Sequence, residues 1–148
     1  MKTEKDYCDY DTCVALKELG YKVPTSAYYI SNDTTLYFVS NPFRGGYAID
    51  CFYSHNSLRE GVITSNYIDA PTMWEAQKWL REKEKIDVLV YLDDLKGYYY
   101  YIRVWNGTWE MAIKHDQLGL KGIVYNDSYE EVLLEGIKEV IKLLKEEK

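Results

Sequence analysis

The chain has 148 residues, of which 47% are hydrophobic and 28% charged, so it is long enough and apolar enough for a globular core and is not a disordered sequence. Its net charge of −6 excludes a generic phosphate-backbone binder, which carries a basic stripe. No run approaches the roughly 18 apolar residues of a membrane-crossing helix. The opening "MKTEKDYCDYD" lacks the apolar stretch of a secretory signal, so a cytoplasmic protein with no membrane partner is expected.

Tyrosine is the compositional outlier, with 16 residues against 3 Phe. Each ring brings apolar area together with a hydroxyl that needs a partner, so such a chain favours half-buried surfaces over a dry core. The three cysteines, Cys8, Cys13 and Cys51, form no CxxC and read as free thiols in a reducing compartment rather than as a disulfide framework or metal site.

The first predicted helix runs from Asp9 or Asp11 to Leu19, with one of the two aspartates as its cap and Gly20 ending it in a left-handed conformation. Cys13 and Leu16 share a side of it, which makes Cys13 a small buried hydrophobe. Two β-rich runs at 27–30 and 35–39 flank the turn-forming residues 31–34 and predict a hairpin. Asn41-Pro42 stops the second strand, and "YAIDCFY" at 47–53 predicts a third. The glycines of Arg44-Gly45-Gly46 are not followed by the helix that a phosphate cradle requires. Residues 54–70 read as a long polar loop, with at most a short strand at Val62-Ile63.

"APTMWEAQKWLREKE" predicts a second helix, with a Thr72/Glu75 capping box and a buried stripe of Met73, Ala76, Trp79 and Leu80. Trp74 falls off that stripe. A final helix follows in "NDSYEEVLLEGIKEVIKLLKEEK". Ser128 and Glu131 predict its capping box, and Leu133, Ile137, Val140, Ile141 and Leu144 recur at the spacing of a helix docked on a sheet.

Between these helices lie "IDVLVYL" at 86–92 and "KGYYYYIRVWNGTWEM" at 96–111. Asn106-Gly107 is a strong two-residue hairpin signal and predicts pairs Trp105–Thr108, Val104–Trp109 and Ile102–Met111. Aligning Leu92 with Tyr98 pairs Val90–Tyr100, Val88–Ile102 and Ile86–Val104, all on one apolar face. The other face then carries Leu89, Tyr91, Tyr99, Tyr101 and Trp105, with Arg103 between Asp87 and Glu110. Arg103 with two carboxylates has no nucleophile or metal-ligand set and reads as a charge ladder. The aromatic face is too apolar for ordinary solvent-facing sheet, so either the N-terminal half or a partner covers it. Tyr91, Tyr99, Tyr101, Arg103 and Trp105 are therefore the candidate binding residues.

Candidate chemistry is sparse. Cys51 and His55, with His115-Asp116, offer the residue types of a cysteine hydrolase without a nucleophile elbow or helix start to activate a thiol. Asp93-Asp94 sits in a turn, where Asp serves the backbone. No metal site and no cofactor is expected. The order α-β-β-β-α over Thr72–Leu144 is similar to that of double-stranded RNA-binding domains. Their cluster of lysines is here replaced by "SYEEVLLEG", so no nucleic-acid partner is expected.

On "DYCDYDTCVALKELGY", "PTMWEAQKWLREKEKI" and "YNDSYEEVLLEGIKEVIKLL", the chain resembles small uncharacterised proteins of phages and mobile elements of gut Bacteroidetes. Those carry similar starts and packing faces in three helices, about a third of the chain. The resemblance implies an accessory protein in the cytoplasm of a bacterial host and transfers no catalytic residue. The expected architecture is one α+β domain over 1–148. It comprises an N-terminal helix and β-hairpin region (1–70), then α-β-β-β-α (71–148), with helices packed on one face of an antiparallel sheet. The leading expectation is a non-enzymatic protein-binding accessory protein whose partner is itself or another protein. The alternative is a small-molecule binder or hydrolase with a pocket at residues 54–70 using Cys51 and His55.

Overall fold

The computed structural model describes residues 3–38, 67–105, 111–113 and 126–146. The fold is α+β with antiparallel pairing throughout, and its strands form two three-stranded sheets. The chain divides into two compact units, Met1–Thr72 and Met73–Lys148. The sequence-predicted strands at 47–53 and 62–63 lie outside the described residues.

The first unit opens with a 3-10 turn, Glu4–Asp6, and helix α1, Tyr10–Glu18. Asp9 caps α1 by accepting the Thr12 N–H at 3.0 Å. At the other end Gly20, at φ +99°, lets the chain reverse, so that Tyr21 N–H reaches Leu16 O (2.9 Å) and Gly20 N–H reaches Lys17 O (3.0 Å). These paired bonds, with Leu16 and Tyr21 both buried, form a Schellman cap. Strands β1 (Ala27–Ile30) and β2 (Asp33–Phe38) form the expected hairpin. Its turn is tighter than the sequence implies, because Asn32 takes a positive φ of 67° and Ile30 pairs directly with Asp33. A third strand, β3 (Tyr67–Asp69), pairs with β1 inside the stretch read from sequence as loop. Three residues are too few to show periodicity, which is why the sequence conceals it.

The core of this unit holds Cys8, Cys13, Leu16, Ala27, Tyr29 and Ile68. Both cysteines are outside any disulfide and buried, and the Cys13 thiol donates toward Cys8 O at 3.5 Å. Burial pushes the Cys13 thiol well above its ordinary range, as befits a packing residue rather than a nucleophile. Tyr29 donates its hydroxyl to the same Cys8 carbonyl at 3.1 Å, and Tyr7 shares a 2.8 Å hydrogen bond with Ser26.

The second unit contains α2 (Met73–Lys83), β4 (Ile86–Asp93), β5 (Gly97–Trp105), β6 (Met111–Ile113) and α3 (Tyr129–Glu146). In α2 the buried residues are Met73, Ala76, Trp79 and Leu80, the stripe that the sequence predicts, while Trp74 is exposed. Strand β4 pairs with β5 in the expected register, including Ile86–Val104, Val88–Ile102, Val90–Tyr100 and Leu92–Tyr98. Helix α3 buries Val132, Leu133, Gly136, Ile137, Val140, Ile141 and Leu144. A Cβ at Gly136 would stand 2.5 Å from Val88 Cγ1 and 3.2 Å from Tyr100 Cγ, so the glycine sets how closely α3 approaches the sheet.

Two expectations need correction in this unit. First, β5 pairs with β6 as Arg103–Ile113, Val104–Ala112 and Trp105–Met111, where the sequence reading pairs Trp105 with Thr108 and Ile102 with Met111; the Asn106-Gly107 turn lies outside the described residues. The observed pairing is displaced by three residues from the expected one. Second, the cap of α3 is only half a capping box. Ser128 Oγ accepts the Glu131 N–H at 3.3 Å, but the Ser128 N–H is satisfied by Asn126 Oδ1 at 2.9 Å. The Glu131 carboxylate instead accepts from Asn126 Nδ2 at 2.6 Å. Asn126 is available because its backbone exchanges two hydrogen bonds with Tyr98, of 2.8 and 3.1 Å.

Substituting Gly136→Ala should lower stability in urea denaturation by about 1–2 kcal/mol, because overpacking outweighs a helix-propensity gain of about 1 kcal/mol. A more stable variant would show that α3 and β4–β5 are not in close contact there. The core position of Tyr100 gives a second expectation. Burial, with Glu139 and Glu135 adding repulsion, pushes its phenol up to about 12. Unfolded tyrosine ionises near 10, so the folded state holds the proton more tightly and stability should fall between about pH 10 and pH 12. Denaturation midpoints across that window should fall less steeply in Tyr100→Phe; an equal slope would refute the assignment.

Candidate functional site: the aromatic face of the second sheet

The pleat of β4 and β5 sends Leu89, Tyr91, Tyr99, Tyr101 and Arg103 to the face opposite Val88 and Ile102, because opposed residues share a side and alternate residues change side. Leu89–Tyr101 and Tyr91–Tyr99 are direct cross-strand pairs. The three tyrosine rings form a closed triad. Tyr91 stacks on Tyr99 with centroids 5.8 Å apart, meets Tyr101 edge-on at 5.4 Å, and Tyr99 meets Tyr101 at 5.6 Å. Each such contact contributes roughly 0.5–1.5 kcal/mol beyond its area.

Arg103 lies opposite Asp87 in the ladder, and its Nη2 donates to the Tyr91 hydroxyl at 3.0 Å. Asp87 itself meets Arg81 of α2, with Nη1 and Oδ1 3.5 Å apart. The charges are thus tied both to the aromatic triad and to a helix. Glu110, expected as the third member of that row, lies outside the described residues.

The structure therefore brings together four of the sequence-predicted site residues, Tyr91, Tyr99, Tyr101 and Arg103. Trp105 continues β5 and pairs with Met111. Cys51 and His55 of the alternative pocket lie outside the described residues. Tyr91 is 38% exposed, and Tyr99, Tyr101 and Arg103 are intermediate, so the face is accessible yet preorganised by its own contacts.

A second tyrosine cluster escaped the sequence reading. Tyr28 stacks on Tyr37 at 5.6 Å and meets Tyr67 edge-on at 5.3 Å, on the sheet of the first unit. The Tyr28–Tyr37 pair depends on a register shift between Tyr28 and Ile30, since the turn alone would oppose Tyr28 to Thr35; Tyr67 required a strand that leaves no periodic signal. Here the Thr35 N–H and then the Tyr37 hydroxyl hold the Asp33 carboxyl below its ordinary range.

Among the described residues no group of three or more His, Cys, Asp or Glu stands where it would hold a metal ion. No described helix is long and apolar enough to cross a membrane. Comparison with family models, curated proteins and solved structures gave no match to the chain.

The coupling between Arg103 and Tyr91 is open to direct measurement. A double-mutant cycle with Arg103→Met and Tyr91→Phe should give a stability coupling of about 0.5–1 kcal/mol, the range of a partly exposed hydrogen bond. A coupling of zero would mean that the guanidinium does not order the triad.

Proposed function

We propose that the protein is a non-enzymatic binding protein whose contact surface is the Tyr91, Tyr99, Tyr101 and Arg103 face. On the resemblance of its three helices, it acts as an accessory protein of a phage or mobile element in the cytoplasm of a bacterial host. The observation that carries the reading is the triad itself. Three tyrosines in mutual contact on a solvent-accessible sheet face, one of them hydrogen-bonded by an arginine, are an unusual use of apolar area unless that area meets another surface. Tyrosine and arginine also dominate the energetics of protein interfaces, and rings already held by one another lose little conformational freedom on binding. The net charge of −6 disfavours nucleic acid as the partner.

The test is quantitative capture on the immobilised chain. Wild type should retain a protein partner from host extract or from its own solution, and Tyr101→Asp should lose it with an unchanged circular dichroism spectrum. Thr34→Asp, on an exposed position of β2, should retain it. Equal capture by wild type and Tyr101→Asp would overturn the reading.

A further inference from the structure

The edge of the second sheet supplies a partner for this surface. In the order β4-β5-β6, β4 has a neighbouring strand on one side only among the described residues. Which of its backbone groups point outward follows from two separate observations. Tyr98 exchanges both its backbone hydrogen bonds with Asn126, so its N–H and C=O point away from β4. The residue opposite it, Leu92, then points its own N–H and C=O away from β5, and alternation extends this to Val90 and Val88. Independently, the Val88 carbonyl accepts a hydrogen bond from Gln77 Nε2, a side chain of α2. Helix α2 thus occupies the edge at Val88. Beyond it, among the described residues, the outward groups of Val90 and Leu92 have no partner, and Leu92 is 59% and Leu95 94% exposed.

Proteins normally blunt such an edge with lysine, proline or a bulge. None is present from Val88 to Leu92, and β4 pairs with β5 without a bulge. We propose that a second copy of this chain adds to this edge, β4 against β4, antiparallel about a two-fold axis through Tyr91. Val90 faces Leu92 of the second copy on either side of the axis, and each of these narrow pairs exchanges two backbone hydrogen bonds.

The strand itself selects this register. Centring on Val90 would oppose Asp87 to Asp93 of the second copy, like charge on like. Centring on Leu89 would require the Val88 carbonyl, which Gln77 already holds. Centring on Tyr91 opposes Asp93 to Leu89 and Tyr91 to its own counterpart. The incoming strand also ends where it must. Asp93 Oδ1 accepts the N–H groups of Leu95 and Lys96 at 2.9 and 3.1 Å, turning the chain before it reaches Gln77. The two tyrosine triads then adjoin through Tyr91 and become one aromatic surface across both copies. Such a short contact makes a weak, concentration-dependent dimer. The inference deepens the binding reading and rests on it for the use of Tyr91.

Sedimentation of the full chain from low micromolar to millimolar concentration should show a monomer–dimer equilibrium. Leu92→Pro removes an outward N–H on each copy without touching the β4–β5 bonds, and should weaken the dimer by about tenfold or more at unchanged melting temperature. Leu92→Lys, which keeps every backbone group, should weaken it through charge at the edge and serves if the proline variant does not fold. Under mild oxidation Tyr91→Cys should form a disulfide-linked dimer, since residues facing at such a position stand about 4.5 Å apart at Cα. Tyr99→Cys should not. A wild type monomeric throughout, or dimers indifferent to both Leu92 substitutions, would overturn the edge proposal. In that event, loss of capture by Tyr101→Asp alone would leave the binding reading standing, whereas capture that survives Tyr101→Asp would remove that reading independently.

Discussion

The antiparallel register of β4 on β5 is the constraint on which the second unit depends. Val88 opposite Ile102 and Ile86 opposite Val104 collect the apolar side chains on one side of the pleat. A slip of one residue in β4 would turn Asp87 inward against the apolar side of β5, at the cost of burying charge. With that side committed, Met73, Ala76 and Leu80 of α2 and the seven-residue stripe of α3 have a surface to cover. Gly136 lets α3 settle against Val88 and Tyr100, and the remaining aromatic residues have nowhere to go but the other side. The binding surface is in this sense a by-product of the core: the same alternation that hides Tyr100 displays Tyr99 and Tyr101.

The chain's preference for tyrosine over phenylalanine has a counterpart in how its hydroxyls are used. In the first unit Tyr29 reaches the Cys8 carbonyl and Tyr10 accepts the Asn32 N–H at 2.9 Å, so that phenols stitch α1 to the hairpin. On the second sheet the Tyr91 hydroxyl receives Arg103. A phenylalanine in any of these places would bury similar area and leave a carbonyl, an amide or a guanidinium without that hydrogen bond. Tyrosine here acts as a packing residue that also closes polar accounts at the margins of small cores.

Much of this was legible in the residues because the relevant signals are local or periodic. Helix α1 announces itself through Asp9 and Gly20, α2 and α3 through their apolar stripes, and the β4–β5 register through a hydrophobic pattern that tolerates no slip. The candidate face followed from that register without further assumption. What escaped was non-local. Strand β3 consists of three residues recruited by β1 from far along the chain, and with it went the Tyr28, Tyr37 and Tyr67 cluster. The β5–β6 pairing departed from the register expected of Asn-Gly because turn preference is a weak term beside the strand pairing it serves. The cap of α3 was half legible: Ser128 and Glu131 are at the right spacing, but the backbone bridge between Asn126 and Tyr98 has no signature in the sequence.

That bridge has a consequence for how the chain tolerates change. Asn126 is anchored to Tyr98 through its backbone and to Ser128 and Glu131 through its side chain, so the start of α3 is tied to the sheet through Asn126. The ends of the chain between Met111–Ile113 and Asn126 are therefore each held by β5. A substitution that breaks the bridge is accordingly felt both at the first turn of α3 and at the Tyr98 end of β5.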